Sequence, residues 1–406
     1  TLLFMKSRTI SATIKDLSSH FRVILLTGMR QVGKTTVLKS LCSDDRLYVT
    51  LDNPQDLQLA KEEPALFFQT YKPPVLIDEI QYAPELFPVI KQIVDSSNEK
   101  GLIWLTGSQQ FRLMNDITES LAGRVVICNL MGFSLHEIFA ESEKSVPFIP
   151  SLSIKKNSSR KDLPETFKII WQGSFPESVE LGEKYWKNFY SSYIKTYLDR
   201  DVRDLLKVEN LLDFHKFIKV IAARTGQELN MADISKDCGV SPNTVKSWLS
   251  VLESSGIIFF LQPYSKNITK RITKRPKLYF MDTGLCCYLT EWTSPETLAS
   301  GAMRGAIFET FVVSEILKSY VHSGEEVNLY YYRDNNGSEI DLIISRDGIL
   351  YPIEIKVSAN PDKSMAKHFS VLAESKEKIG TGAVICLTDA PRPLAENLMS
   401  LSVWDI

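Results

Sequence analysis

Three groups of residues have the types and spacings that chemistry needs. The first is GMRQVGKT, from Gly28 to Thr35, which satisfies G-x-x-x-x-G-K-[S/T] at every fixed position. Glycines in such a loop let successive backbone N–H groups turn inward toward phosphate oxygens. A helix starting behind the loop adds the partial positive charge of its N-terminus. Lys34 supplies a point charge to the β- and γ-phosphates of ATP, and Thr35 a hydroxyl to Mg²⁺. Gly28, Arg30, Gly33 and Thr36 complete the candidate nucleotide-binding set. The second group is Asp78-Glu79. Asp78 is placed to orient the magnesium through water, and Glu79 to polarise the attacking water as a general base. The third group is Asp341 followed by Glu354-x-Lys356, with Glu309 upstream. Asp341, Glu354 and Glu309 are oxygen ligands for a hard cation, Mg²⁺ or Mn²⁺. Lys356 beside them can orient or deprotonate a water, a workable device for cutting a phosphodiester.

These groups need particular elements to hold them. Val23-Ile-Leu-Leu26 ahead of the glycine loop is of strand type, and Thr36 to Leu41 behind it can carry helical turns. Val75-Leu-Ile77 ahead of Asp78 describes a buried parallel strand with carboxylates at its C-terminal end, where such sheets bind ligands. Further strands are expected at Leu47–Leu51, Leu102–Thr106 and Val125–Leu130, with helices over 9–20, 54–70 and 83–97. Strand alternation puts Glu354 and Lys356 on one face. A helix from Gly301 to Tyr320, strands at 329–332, 339–344 and 350–357, a helix near 362–376 and a strand at 383–387 give the order αβββαβ.

Between these regions lie a polar Ser/Lys-rich stretch including residues 155–161 and a long helical region, 183–223. A short helix from Asn230 and a turn at Gly239 follow. Ser241-Pro242 then provides an N-cap and N1 proline for a helix through Glu253. Val245, Trp248, Leu249 and Leu252 mark that helix's buried face, leaving Asn243, Thr244, Lys246 and Ser247 outward. A hairpin begins at Ile257. Helix, tight turn, helix and β-wing make a winged helix-turn-helix. Lys266, Lys270, Arg271, Lys274, Arg275 and Lys277 in the wing form a phosphate-contacting patch for DNA, or else the hairpin is merely solvated or the winged helix serves only as a domain connector.

Three single residues carry two readings each. Ser108, at the tip of the 102–106 strand, either senses the γ-phosphate or caps a helix. Arg124 is either an arginine finger for a neighbouring subunit, which requires a homo-oligomer, or a surface arginine. Arg200, in the charged run YLDRD, is either a sensor of the nucleotide in cis or part of a solvated face.

Composition sets the frame. The 406 residues suit two to four domains at about 100–200 residues each. The net charge of −2 excludes a chain that is basic throughout, so any DNA site is a local patch. The 44% hydrophobic and 24% charged content is that of a soluble globular protein. No apolar run approaches the roughly 20 residues that cross a bilayer, and no signal peptide is read. The six cysteines are scattered, without C-x-x-C or zinc spacing, and are expected as reduced, mostly buried thiols of a cytoplasmic protein.

GMRQVGKTT, LDNP, VLIDEIQ, LTGSQQ and SLAGR followed by FSLHE resemble the AAA-type P-loop ATPases. With GSFPE, YLDRDV and YFMDTGL they resemble a prokaryotic family that joins such a domain to a C-terminal region of poorly defined role. Asp341 and Glu354-x-Lys356 resemble the PD-(D/E)-x-K nuclease superfamily, with Ile340 where many members have proline. The resemblance implies an α/β chain in four parts: a parallel-sheet ATPase domain (1–140), a linker (141–182), a helical and winged-helix region (183–292) and a restriction-endonuclease-like domain (293–406). It implies fold and ATP more than purpose; taken with the residues, the expectation is ATP hydrolysis coupled to DNA binding or metal-dependent cleavage. The alternative is a slow ATPase switch that controls assembly or partner binding, with a silent nuclease-like domain.

Overall fold

The computed structural model describes residues 6–108, 117, 120–154, 160–198, 211–265, 275–375 and 377–406. The chain divides into two compact units. One runs up to Ser145 and takes in Ser254–Gly256 and Val321–Glu325; the other comprises Val146–Glu253, Ile257–Tyr320 and Glu326–Ile406.

The first unit follows the order α1 (Ile10–His20), β1 (Val23–Thr27), α2 (Lys34–Leu41), β2 (Leu47–Thr50), α3 (Pro54–Glu62), α4 (Pro64–Thr70), β3 (Val75–Asp78), α5 (Leu86–Ser96), β4 (Ile103–Gly107), β5 (Val125–Asn129) and α6 (Leu135–Ile138). The strands form a parallel sheet in the order β2-β3-β4-β1-β5. β1, β3 and β4 are buried along their whole length, as expected of central strands covered on both faces. Leu25, Ile77, Phe67, Phe87 and Ile90 belong to one continuous core. The helix expected over 54–70 is two, because Pro64 cannot continue the first and opens the second. β4 lies between β1 and β3, so its C-terminal tip stands beside both the glycine loop and Asp78.

The second unit begins with α7 (Leu163–Gln172), α8 (Pro176–Leu181), α9 (Trp186–Tyr193) and α10 (Leu211–Ala222). Here the expected linker is partly helical. Asp162 accepts from the Glu165 N–H and caps α7, whose Phe167, Ile170 and Trp171 are buried. Trp171 stacks on Trp186 at 4.1 Å. Within the helical region expected over 183–223, α9 passes into a π turn at Ile194–Leu198. Arg200 lies outside the described residues.

β6 (Gln227–Glu228), α11 (Met231–Cys238) and α12 (Pro242–Ser254) come next, then the antiparallel pair β7 (Ile258–Pro263) and β8 (Lys277–Phe280). Gly239 takes the left-handed conformation at φ 76° between the two helices. Trp248 of α12 packs on Phe214 and Phe217 of α10 at 5.4 and 5.1 Å. Asn243, Lys246 and Ser247 are exposed, whereas Thr244 is half-buried and bonded to Ser241.

α13 (Thr283–Leu289), α14 (Pro295–Ser300) and α15 (Arg304–Val321) lead to β9 (Asn328–Arg333), β10 (Glu339–Arg346), β11 (Ile349–Ile355), β12 (Lys378–Ile379), β13 (Gly382–Cys386), β14 (Arg392–Ala395) and β15 (Leu398–Ser402). The sheet is mixed, and its order β14-β15-β13-β11-β10-β9-β7-β8-β6 joins the hairpin to the C-terminal strands. The join is the parallel pairing of Gln262 with Tyr330 and Pro263 with Tyr331. The helix expected near 362–376 is of 3₁₀ type over Lys363–Glu374. β14 and β15 lie beyond the expected αβββαβ order. All six cysteines are free thiols, and all but Cys42 are buried.

Candidate nucleotide and carboxylate sites

Gly28 and Gly33 take φ values of 143° and 90°, and Gln31 between them takes 61°. A Cβ on Gly28 would lie 2.1 Å from the Leu130 carbonyl oxygen, so no other residue fits there. Lys34 is buried and donates from Nζ to the carbonyls of Gly28 and Met29 at 3.0 and 2.8 Å. Arg30 is half-buried, and Thr36 is exposed in the first turn of α2. The Thr35 hydroxyl donates to Asp78 Oδ1 at 2.6 Å. Thr106 of β4 donates to the same oxygen, and the Tyr48 hydroxyl to Asp78 Oδ2 at 3.3 Å. Three hydroxyls therefore fix the Asp78 carboxylate. Thr35 and Asp78, already at hydrogen-bond distance, are a fitting pair to flank Mg²⁺.

Glu79 has φ 59° and ψ 46°, a left-handed conformation that costs a non-glycine residue on the order of 1–3 kcal/mol and concentrates at functional sites. Its N–H donates to Thr106 Oγ1 at 3.0 Å. Its carboxylate accepts from Gln81 Nε2 and from Ser108 Oγ, the latter at 3.3 Å. Ser108 thus holds the candidate base. Arg124 forms a two-pronged ion pair with Asp95 of its own chain, Nε at 2.6 Å and Nη2 at 3.0 Å, so a trans role would require breaking it.

In the second unit the expected carboxylates meet in one cluster. Asp341 on β10 and Glu354 on β11 are both buried. Lys356 Nζ lies 2.6 Å from Glu354 Oε1 and 3.5 Å from Asp341 Oδ2, which also accepts from the Ile355 N–H at 2.8 Å. Glu354 Oε2 is buried without a hydrogen-bond partner. Burial and the nearby Asp341 push the Glu354 carboxyl up to about 7. Glu309 of α15 accepts from the Tyr279 hydroxyl and from Lys277.

Lys277 departs from expectation. Assigned to the basic patch, it is 3% exposed, with its ammonium 2.7 Å from Glu339 Oε1 and 3.3 Å from Glu309 Oε1. Burial opposes its charge, but Glu309, Asp341 and Glu339 outweigh burial and raise its pKa. The carboxylates expected to share one cation are thus interleaved with two lysines. Among the described residues no group of three or more His, Cys, Asp or Glu converges as a metal cage. The orphaned Glu354 Oε2 beside Asp341 is the position a cation suits. Arg275 is exposed, while Lys266, Lys270, Arg271 and Lys274 lie outside the described residues.

Three family models match separate parts of the chain. Residues 20–139 match an AAA domain. That segment is a P-loop ATPase domain, and it binds ATP. Residues 164–296 match a Domain of unknown function (DUF8612) and residues 304–406 a Domain of unknown function (DUF4143). The chain is 28% identical over 365 residues to uncharacterized protein Rv2008c of Mycobacterium tuberculosis, covering 89% of this chain and 76% of that one. With uncharacterized protein MJ1637 of Methanocaldococcus jannaschii it shares 22% identity over 385 residues, 87% of this chain and 79% of that one. Among solved structures it is similar to the Walker-type ATPase PABY2304 of Pyrococcus abyssi, with TM-score 0.44, 15% identity, and 71% of this chain and 96% of that chain covered. No helix among the described residues is long and apolar enough to cross a membrane.

Sequence reasoning missed several residues at these sites. In the ATPase domain Thr106 and Gln81 both brace the Asp78-Glu79 pair; each sits in a family motif, LTGSQQ or VLIDEIQ, without a role. Tyr48 gave no signal, because only the pairing of β2 with β3 brings it near Asp78. Lys277 looked like one more basic residue of a hairpin. It belongs to the segment matched over 164–296, yet it enters a carboxylate cluster carried mainly by the segment matched over 304–406.

Proposed function

We propose that the protein hydrolyses ATP at the P-loop and couples its nucleotide state to DNA binding or cleavage through the C-terminal carboxylate–lysine cluster. The observation that carries the hydrolysis reading is the bracing of Asp78 and Glu79. Thr35, Thr106 and Tyr48 hold the first, while Thr106, Ser108 and Gln81 hold the second. Mg²⁺, when bound, neutralises phosphate charge; Lys34 adds its own, and Glu79 takes the proton of the attacking water. Glu79→Gln keeps the shape and loses the basicity, so ATP affinity should persist while turnover falls by about 10²-fold or more. Wild-type turnover in that variant would place the base elsewhere.

At the C-terminal cluster, Asp341 and Glu354 would hold one Mg²⁺ or Mn²⁺, which supplies Lewis acidity toward a phosphodiester. Lys356 orients the water. We read α11, α12 and the β7–β8 hairpin as a winged helix, and the C-terminal sheet with α15 as nuclease-like.

A second reading, a slow ATPase switch with a silent cluster, is favoured by one observation. The Lys277 ammonium already compensates Glu309 and Glu339. Purified protein with Mg²⁺ or Mn²⁺ and several DNA forms, with and without ATP, separates the two. Nicking or cutting that disappears in Lys356→Ala supports the first; intact DNA under all conditions supports the second.

A further inference from the structure

Arg8 precedes α1 and is 6% exposed, a deep position for a guanidinium. Each of its arms has a defined partner. Nη1 donates to the Val32 carbonyl at 2.8 Å. Nη2 donates to the Met131 carbonyl at 2.7 Å and approaches that of Gly132 at 3.4 Å. Nε faces Glu137 Oε1 at 3.1 Å, and the guanidinium lies 4.7 Å over the Phe133 ring. None of these interactions was expected from the sequence.

Val32 is the residue before Gly33 in the phosphate loop. A trans peptide plane fixes the C=O of one residue and the N–H of the next in opposite directions. Turning the Val32 carbonyl toward Arg8 therefore turns the Gly33 N–H the other way, away from Arg8. The second arm ties this peptide to Met131 just after β5, the segment against which Gly28 is pressed at Leu130. Both ends of the glycine loop thus rest on one support.

Glu137 holds the guanidinium in place. It is fully buried and accepts from the Thr9 N–H at 2.8 Å and the Ser134 N–H at 3.0 Å. His322, also fully buried, places Nδ1 3.4 Å from Glu137 Oε1 and accepts the Met131 N–H at Nε2, 3.2 Å away. A buried carboxylate with these partners keeps Arg8 from seeking solvent. The planar fork reaches carbonyls of two separate segments while facing a carboxylate, a spread that the compact ammonium of lysine does not reproduce.

We propose that Arg8 is a positioning residue of the nucleotide site, orienting the Val32–Gly33 peptide so that the Gly33 N–H serves the phosphates of ATP, with Glu137 as its anchor. This deepens the assignment of the P-loop as the ATP site and rests on it. The test uses the full chain with MgATP. Calorimetry gives the affinity, steady-state turnover gives kcat and KM, and thermal unfolding without nucleotide checks the fold. Arg8→Lys keeps the charge beside Glu137 but loses the fork, and should weaken ATP binding about tenfold through KM, with kcat much less affected. Glu137→Gln, which keeps volume and frees the guanidinium, should shift KM in the same direction by a smaller factor. A merely structural role would lower the melting temperature and leave the KM of the folded fraction unchanged. If either variant folds and binds ATP within about twofold of wild type, the assignment of Arg8 is overturned. Wild type that binds no ATP would overturn the P-loop reading and this one together.

Discussion

The ammonium of Lys277 lies 2.7 Å from the carboxylate of Glu339, inside a sheet that joins the hairpin to the C-terminal strands. The same ammonium reaches Glu309, whose carboxyl is pushed up by burial, against the pull of Lys277. Lys277→Met should therefore strand two half-buried carboxylates and destabilise the protein by about 1–3 kcal/mol. Adding Glu309→Gln should recover a good part of the loss, because one uncompensated charge is then gone. Denaturant unfolding of the single and double variants measures this. A Lys277→Met protein as stable as wild type would mean the ammonium is not the cluster's counter-charge.

Lys34→Ala tests the nucleotide site itself. Lys34 donates to the loop carbonyls of Gly28 and Met29, poised on the chain that cradles phosphate. Removing a charge-assisted hydrogen bond of this kind should weaken ATP binding by about 1.5–3 kcal/mol. Calorimetry with unchanged ATP affinity would remove the loop from the site.

Any DNA affinity should be salt-sensitive and should draw on the hairpin. Charge reversal at Lys270, Arg271, Lys274 and Arg275 should lower affinity and flatten the salt slope by about 0.9 for each phosphate no longer neutralised. Lys277 is left out of this set because it is buried. An unaltered slope would mark these residues as merely solvated, as suits a hairpin whose β7 is already paired on both edges by β8 and β9.

The ATPase domain could be read from the sequence because its chemistry is local. A glycine loop needs fixed spacing, and the apolar runs of β1, β3 and β4 are those of doubly covered strands. Asp341, Glu354 and Lys356 were readable for the same reason: strand alternation puts a residue and its second neighbour on one face. What escaped depends on pairing across long stretches of chain. Lys277 reaches Glu309 and Glu339 only because β7 pairs with β9, and Arg8 reaches Val32 and Glu137 only once β1 and β5 are side by side. The helices within the expected linker escaped for another reason. The Ser/Lys run at 155–161 dominated that stretch's composition and masked the buried spacing of Phe167, Ile170 and Trp171.

The last prediction concerns Glu354. Its carboxyl is raised from 4.5 to about 7 by burial and by Asp341, with Lys356 opposing. Between those values the folded protein holds a proton that the unfolded chain has released. Stability from this group is therefore complete below about pH 4.5 and is lost as pH rises through about 7. Glu309 is raised as well and contributes with the same sign, so the effect of Glu354 is isolated by comparison with Glu354→Gln. A divalent cation competes with the proton for the same oxygens, so stabilisation by Mg²⁺ or Mn²⁺ should grow across the interval in which the proton leaves. Glu354→Ala should abolish that gain. Lys356→Ala should keep it and lose any DNA cleavage, since its place is beside the water. Melting temperatures from about pH 4.5 to about 8, with and without Mn²⁺, read the stability effects, and a DNA-nicking assay reads the cleavage. A metal-free wild type whose melting temperature holds level with that of Glu354→Gln would rule out the buried proton. If neither cation raises the melting temperature and no DNA form is cut, the cluster with its two lysines is a binding or assembly element, and the switch reading stands.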